Sequence, residues 1–338
     1  MLIHTLLITL SMGSAPVSQG QTPNCVPASN QQLIIYRAGS LTRAFQELEK
    51  VFTCQTGIQV KDSPMGSVDA GRQITAGGHP CDLYAPADYL DIDLFMKPPG
   101  YADFNIEFAQ GRMVLAYSAR GLAAKKLAEI ADSDRKAVSK WFEILTMPGV
   151  AIGGGNWFLD PGAYRAPMMF QLATEYYNVP NLYNNLLEHL VIMGQDSGAV
   201  LGKQFDFQFT YEHNARAAAA ADPDYRYVDL PDEINLSNPA KDDYYRQHAI
   251  VVLPGLGTPR SARTIAVPGA HVAWGITLLK DAPNKENAIK FLQLLLSNEG
   301  ASVLKKNGPD PVFPAMVSSE DFRKVPEPLR SLVLAAGK

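Results

Sequence analysis

Two Gly-Ser pairs, Gly39-Ser40 and Gly66-Ser67, each stand where a strand-like run gives way to a helical pattern. Leu33 to Tyr36 precedes the first. Leu41, Ala44, Phe45, Leu48, Val51 and Phe52 follow it at helical spacing. Ile58-Gln59-Val60 precedes the second, and Val68, Ala70 and Ile74 open the next helix. A helix start presents unpaired N–H groups at the positive end of a dipole. Two such starts aimed at one point can hold an anion without lysine or arginine. Taken singly, each serine is also an ordinary N-cap; it is their recurrence in consecutive βα units that points to a site.

With 338 residues, the chain is long enough for two domains. The formal net charge of −4 argues against nucleic acid or an anionic membrane surface as the main partner. An anionic guest would therefore be held by local dipoles and not by overall charge.

Residues 1–20 read as a signal peptide. Leu2 to Met12 is mostly apolar and Gly13-Ser14-Ala15 suits cleavage, although His4 is the only basic-type residue ahead of it. A flexible leader is expected over 21–31. No later stretch reaches ~18 continuous apolar residues, so no membrane span is expected in the mature chain. The residues before Cys25 lack the Leu and small-residue pattern of a lipid-modified cysteine, and no anchor is expected there. Of the three cysteines, Cys54 can pair with Cys81 or with Cys25; both pairings suit an extracytoplasmic chain.

Strands are expected at 33–38, 58–62 and 82–86, with helices at 41–54 and 68–77. This alternation gives a parallel sheet whose ligands bind at the strand carboxyl ends. Further strands read at 113–117, 150–152, 205–211, 226–229 and 272–279. Helices read at 121–131, 136–146, 163–177, 181–190 and 215–221, and another runs from Asp281 to Leu296. Pro254 to Pro268 reads as a loop. The arrangement is α/β, with a second lobe (116–274) inserted into a discontinuous first lobe (32–115 and 275–338).

Several blocks resemble the tungstate/molybdate-binding proteins of ABC importers. They are Ala38 to Thr42, Gly66 to Ile74, Cys81 to Tyr89, Phe108 to Tyr117, Leu159 to Arg165, Asp229 to Leu236, Trp274 to Thr277, Asn284 to Phe291 and Lys306 to Gly308. The resemblance spans nearly the whole mature chain, in order. It implies a two-lobed periplasmic-binding-protein (type II) fold with two interdomain crossover strands, near 112–118 and 272–279. The implied function is capture of a tungstate- or molybdate-type oxyanion, with no cofactor, and delivery to a membrane permease and its ATPase. A monomer in the periplasm or its extracytoplasmic equivalent is expected.

Carried across residue by residue, the resemblance assigns oxyanion contacts to Ser40, Ser67, Asp160 and Tyr211; Gly39, Gly66, Thr210 and Glu212 complete the eight residues expected at the oxyanion site. In one branch of the family Asp160 would approach the metal centre and raise its coordination from four to six. That branch has a glutamate directly before the tyrosine, where this chain has Thr210; Glu212 comes one residue after it. Neighbours along a strand face opposite ways, so Glu212 cannot take that place without a bulge. Four-coordinate binding is the expectation. The other reading of Asp160 is the N-cap of the helix that Pro161 opens, and Arg165 reads as an ion-pair partner.

Two rival functions follow from the residues. Some ferric iron carriers use adjacent tyrosines, and Tyr176-Tyr177 and Tyr244-Tyr245 are available here, although both pairs sit in helical contexts that suit packing. A secreted hydrolase could use Ser40 or Ser67, but there is no G-x-S-x-G elbow. Asp196-Ser197-Gly198 follows Gln195 and reads as a turn. The histidines show no metal-binding spacing, and no enzymatic activity is expected.

Overall fold

In the computed structural model, which describes residues 25–121, 124–127, 140–194, 200–256 and 264–336, β1 (Gln32–Ala38) runs parallel to β2 (Gln59–Met65) and β3 (Leu83–Ala85). A 3-10 turn at Gly39–Leu41 leads from β1 into α1 (Thr42–Thr56), and α2 (Ser67–Thr75) follows β2. The β1–β2 register ends on Ala38 opposite Met65. Gly39 and Gly66 therefore leave the sheet from neighbouring strand ends.

Helix α1 holds because its apolar face is one stripe: Ala44, Phe45, Leu48, Val51 and Phe52 are buried. The Phe45 and Phe52 rings lie 5.8 and 5.4 Å from that of Phe291. Burying each phenyl ring contributes about 1.5–3 kcal/mol. Gly57, at φ +70°, ends the helix in the left-handed region that favours glycine.

The first sheet has seven strands in the order β14-β13-β4-β12-β3-β1-β2. Its later members are β4 (Ile106–Gln110), β12 (Ala273–Leu278), β13 (Asp310–Ser318) and β14 (Val333–Ala336). The second has five, ordered β7-β6-β8-β5-β9. These are β5 (Met113–Ser118), β6 (Ile152–Gly154), β7 (Leu190–Ile192), β8 (Phe207–Tyr211) and β9 (Tyr225–Val228). Helix α3 (Pro161–Tyr177) packs Phe170 edge-on against Phe209 of β8.

The chain leaves the first sheet after Gln110 and enters the second at Met113; it returns to β12 at Ala273. The two crossings are bonded to each other, the Gly111 N–H donating to the Val272 carbonyl at 2.9 Å. Between β9 and the return crossing, helix α5 (Asp242–His248) and the hairpin β10 (Ile250–Pro254) and β11 (Thr264–Pro268) pack near α3. The Gln171 side chain bonds both the N–H and the carbonyl of Ile250.

Three expectations change. The loop read over 254–268 begins and ends in strand, because Thr264 to Val267 find a partner in Ile250 to Leu253 that sequence alone does not name. Leu190, read as the end of a helix, begins strand β7 beside β6. The helix read at 215–221 starts at Glu212, directly from β8, and is α4 (Glu212–Ala221). The signal segment, Asp196-Ser197-Gly198, residues 257–263 and, of the helices read at 121–131 and 136–146, residues 122–123, 128–131 and 136–139 lie outside the described residues; Trp141–Leu145 is helical.

Cys25 is bonded to Cys54, and Cys81 is a buried thiol. The stretch 25–31 is further tied down by the Ala28 and Ser29 N–H groups, which donate to the Gly57 carbonyl.

Near this staple, Arg37 is fully buried and paired with Asp62, which also neighbours Glu49. Burial, then the Asp62 charge, push the Glu49 carboxyl up to about 8, with Arg37 opposing. Because the folded pKa is the higher one, this contribution to stability is complete below the ordinary value of 4.5 and is lost as pH rises through about 8. Glu49→Gln is expected to flatten the fall of Tm over that window; an unaltered profile would show that Glu49 does not carry it.

Candidate functional site

The segments that follow β1, β2, β6 and β8 face one another across the gap between the two sheets and enclose a cavity of about 340 Å³. Strand carboxyl ends gather here, as in other open α/β sheets. Gly39, Ser40, Met65 and Gly66 line one side. Gly153 to Asn156, Asp160, Gly162 and Ala163 line the other, with Gln208, Thr210, Tyr211 and Asn214 beside them. Among the described residues, no lysine or arginine lines the cavity, and Asp160 is the one carboxyl there.

Ser40 is fixed by the return crossing. Its Oγ accepts from the Trp274 indole N–H at 2.9 Å. Indole is a donor only, so the Ser40 hydroxyl keeps its own proton to give. The turn it occupies has no side-chain cap. The His213 ring contacts the Ser40 carbonyl, not the hydroxyl, at 3.1 Å. Burial pushes His213 down to about 4, so it is neutral at physiological pH.

The second Gly-Ser start is used differently. The Leu159 carbonyl, from the opposite lobe, accepts from the Val68 and Asp69 N–H groups at 3.0 and 3.2 Å. A Cβ on Gly66 would stand 2.5 Å from that carbonyl oxygen, so only glycine permits the approach. Ser67 is fully buried behind the lining, where its Oγ accepts from the Ala87 N–H at 2.9 Å. Arg72 adds two interlobe bonds, to the Phe158 and Pro254 carbonyls at 2.9 and 3.3 Å.

Asp160 is the N-cap of α3, with Oδ1 accepting from the Gly162 N–H at 2.7 Å. Pro161 follows at the position where a missing N–H costs nothing. Burial raises the Asp160 carboxyl above its ordinary value; the Gly162 N–H, the Arg165 charge and the Ser67 and Ala163 N–H groups work against that rise. Cap and cavity wall are thus one residue.

Tyr211 ends β8. Its hydroxyl accepts from Arg165 Nη1 at 2.6 Å, and its ring lies 4.9 Å from Trp274 and 5.8 Å from His213. Thr210 shares the wall. Glu212 does not: as the first residue of α4 it turns to Arg216 at 3.2 Å and accepts from the Tyr227 hydroxyl at 3.3 Å. Of the eight residues expected at the site, six meet at the cavity, Ser67 stands behind it and Glu212 outside it. Gly153 to Asn156, Gln208, Asn214 and the Trp274 brace were not expected there. The Gly-Gly-Gly-Asn run at a strand end was a readable signal for a close backbone approach; Trp274 gave none. The tyrosine pairs Tyr176-Tyr177 and Tyr244-Tyr245 lie on α3 and α5, away from the lining.

Two lobes joined by paired crossings, with a cavity between them lined by hydroxyls, amides and backbone, define a solute receptor of the periplasmic binding-protein class. The chain belongs to the bacterial extracellular solute-binding protein family, whose profile matches residues 33–309. It is 33% identical to the molybdate/tungstate-binding protein WtpA of Pyrococcus abyssi, over 89% of this chain and 90% of that one. With the protein of the same name from Thermococcus kodakarensis it shares 32% identity, covering 98% and 96%. The solved periplasmic molybdate-binding protein of Azotobacter vinelandii shares the fold, with a TM-score of 0.55 at 17% identity over 81% of this chain and 96% of that one.

Gly66→Ala should drive the Leu159 carbonyl off α2 and part the lobes, seen as a larger radius of gyration in small-angle scattering. Unchanged scattering would mean that this contact does not hold the cleft closed.

Proposed function

We propose that this protein binds a tetrahedral oxyanion of the molybdate/tungstate class in the interlobe cavity and delivers it, outside the cytoplasm, to the permease and ATPase of an ABC importer. The observation that carries the reading is the state of the two hydroxyls at the cavity. Ser40 and Tyr211 each have the oxygen engaged by an N–H, from Trp274 and Arg165, and each is left a proton to donate. A dianion accepts from every such donor. Hydrogen bonds to a charged partner are about twice as strong as neutral ones. The names of the archaeal relatives support the same ligand class.

A four-coordinate guest suits Thr210, which brings no carboxylate, and Glu212, which is committed to Arg216 and Tyr227. A hydrolase is disfavoured because Ser40 meets an indole, which cannot take its proton, where a base would be needed. An iron carrier is disfavoured by the position of the tyrosine pairs.

Calorimetric titration of ligand-free protein with molybdate, tungstate and sulfate tests the reading. Binding of at least one, with Ser40→Ala weaker by about 1.5–3 kcal/mol, is expected from the loss of a hydrogen bond to a charged group. No heat with any of the three anions would overturn it. Asp160→Asn, which keeps the cap, should barely change affinity. A large loss, with six oxygen neighbours in X-ray absorption, would replace four-coordination with six.

A further inference from the structure

Arg165 lies one turn into α3, is 1% exposed, and touches both lobes. Nη1 donates to the Tyr211 hydroxyl at 2.6 Å and to the Ala87 carbonyl at 2.9 Å. Nη2 stands 3.5 Å from Asp88 Oδ2. The same Asp88 oxygen accepts from the Tyr164 hydroxyl at 2.7 Å. The guanidinium carbon is 5.4 Å from the centre of the Tyr211 ring. Burial works against this charge, but Tyr211, Asp88, Tyr164 and Asp91 outweigh it, and the guanidinium stays protonated.

A guanidinium has five donors and no acceptor. Bonded to the phenol oxygen, it fills a lone pair and leaves the phenol proton free to point elsewhere. Ala87 extends the arrangement to the other lobe. Its carbonyl takes Nη1 of Arg165, and its N–H fills the Ser67 oxygen at 2.9 Å. A single cation held behind the lining thus sets the polarity of Tyr211 and braces the peptide that does the same for Ser67.

We infer that Arg165 is a specificity-determining positioning residue: it fixes the Tyr211 hydroxyl as a donor only, and so disfavours guests that would have to donate at that position. This rests on the oxyanion reading. The guest is never touched by Arg165, which is absent from the cavity wall. Tungstate presents acceptors alone. Hydrogen phosphate carries an O–H that finds no acceptor at Tyr211 while Arg165 holds that oxygen; the phosphate must turn that O–H to another acceptor of the wall, such as Asp160, or leave it unpaired at a cost.

The test is a double-mutant cycle on the full chain, titrated with sodium tungstate and with sodium phosphate. Tyr211→Phe should weaken tungstate about tenfold. Arg165→Met should weaken tungstate several-fold in the parent but less than twofold in Tyr211→Phe, because its effect passes through the phenol. It should also narrow the preference for tungstate over phosphate, since the phenol oxygen regains an acceptor site. Arg165→Lys keeps the charge and one donor and should restore most of the preference. If Arg165→Met does not fold, the cycle is run with Arg165→Lys and Arg165→Gln. Equal losses in both backgrounds, or an unchanged tungstate-to-phosphate ratio, would overturn the inference. Failure of the parent protein to bind tungstate, molybdate or sulfate would instead overturn the oxyanion reading.

Discussion

One main-chain carbonyl, that of Leu159, turns the dipole of α2 into a bond between lobes. It reaches the first N–H groups of the helix because Gly66 has no side chain to stop it. Two further contacts work along the same helix: Arg72 takes the Phe158 and Pro254 carbonyls, and Leu256 covers Gly71. Helix α2 is therefore gripped along its length by lobe II. The shape of the cavity follows, since Asp160 comes directly after Leu159 in sequence.

The site separates charge from contact. Its described wall carries hydroxyls, amides, backbone and the Asp160 carboxyl, while the Arg165 cation sits behind Tyr211. A lysine or arginine in the wall would attract anions of any protonation state. Neutral donors with prescribed directions distinguish the number of acceptors a guest offers. This is also how a chain of net charge −4 can hold a dianion: long-range repulsion is screened within about 8–10 Å at ordinary ionic strength, whereas buried short-range donors are not.

Much of this was legible in the sequence because the signals were local. The two Gly-Ser starts, the α1 stripe and the Asp160-Pro161 cap depend on neighbours within one turn, and each stands where it was read. What was missed depends on residues distant in the chain. Ser67 looks like Ser40 in sequence; only Ala87, Leu159 and the burial between them send it behind the wall. Glu212 was expected at the site, yet the helix read from 215 opens at Glu212 itself and takes the glutamate to Arg216. The β10–β11 hairpin escaped because its partners flank a long polar connection. Cys25 and Cys81 were equal candidates for Cys54 until the fold brought one of them near.

That disulfide has a mechanical consequence. Cys54 lies near the C-terminal end of α1, and the cavity lies at the other end, beyond Gly39-Ser40. The helical run from Thr42 to Cys54 puts roughly 18 Å between the two. Cys25 is thereby moored to lobe I, on the body that carries β1 and β2. A load applied at Cys25 therefore enters lobe I through α1 and not through the crossings at Gly111 and Val272.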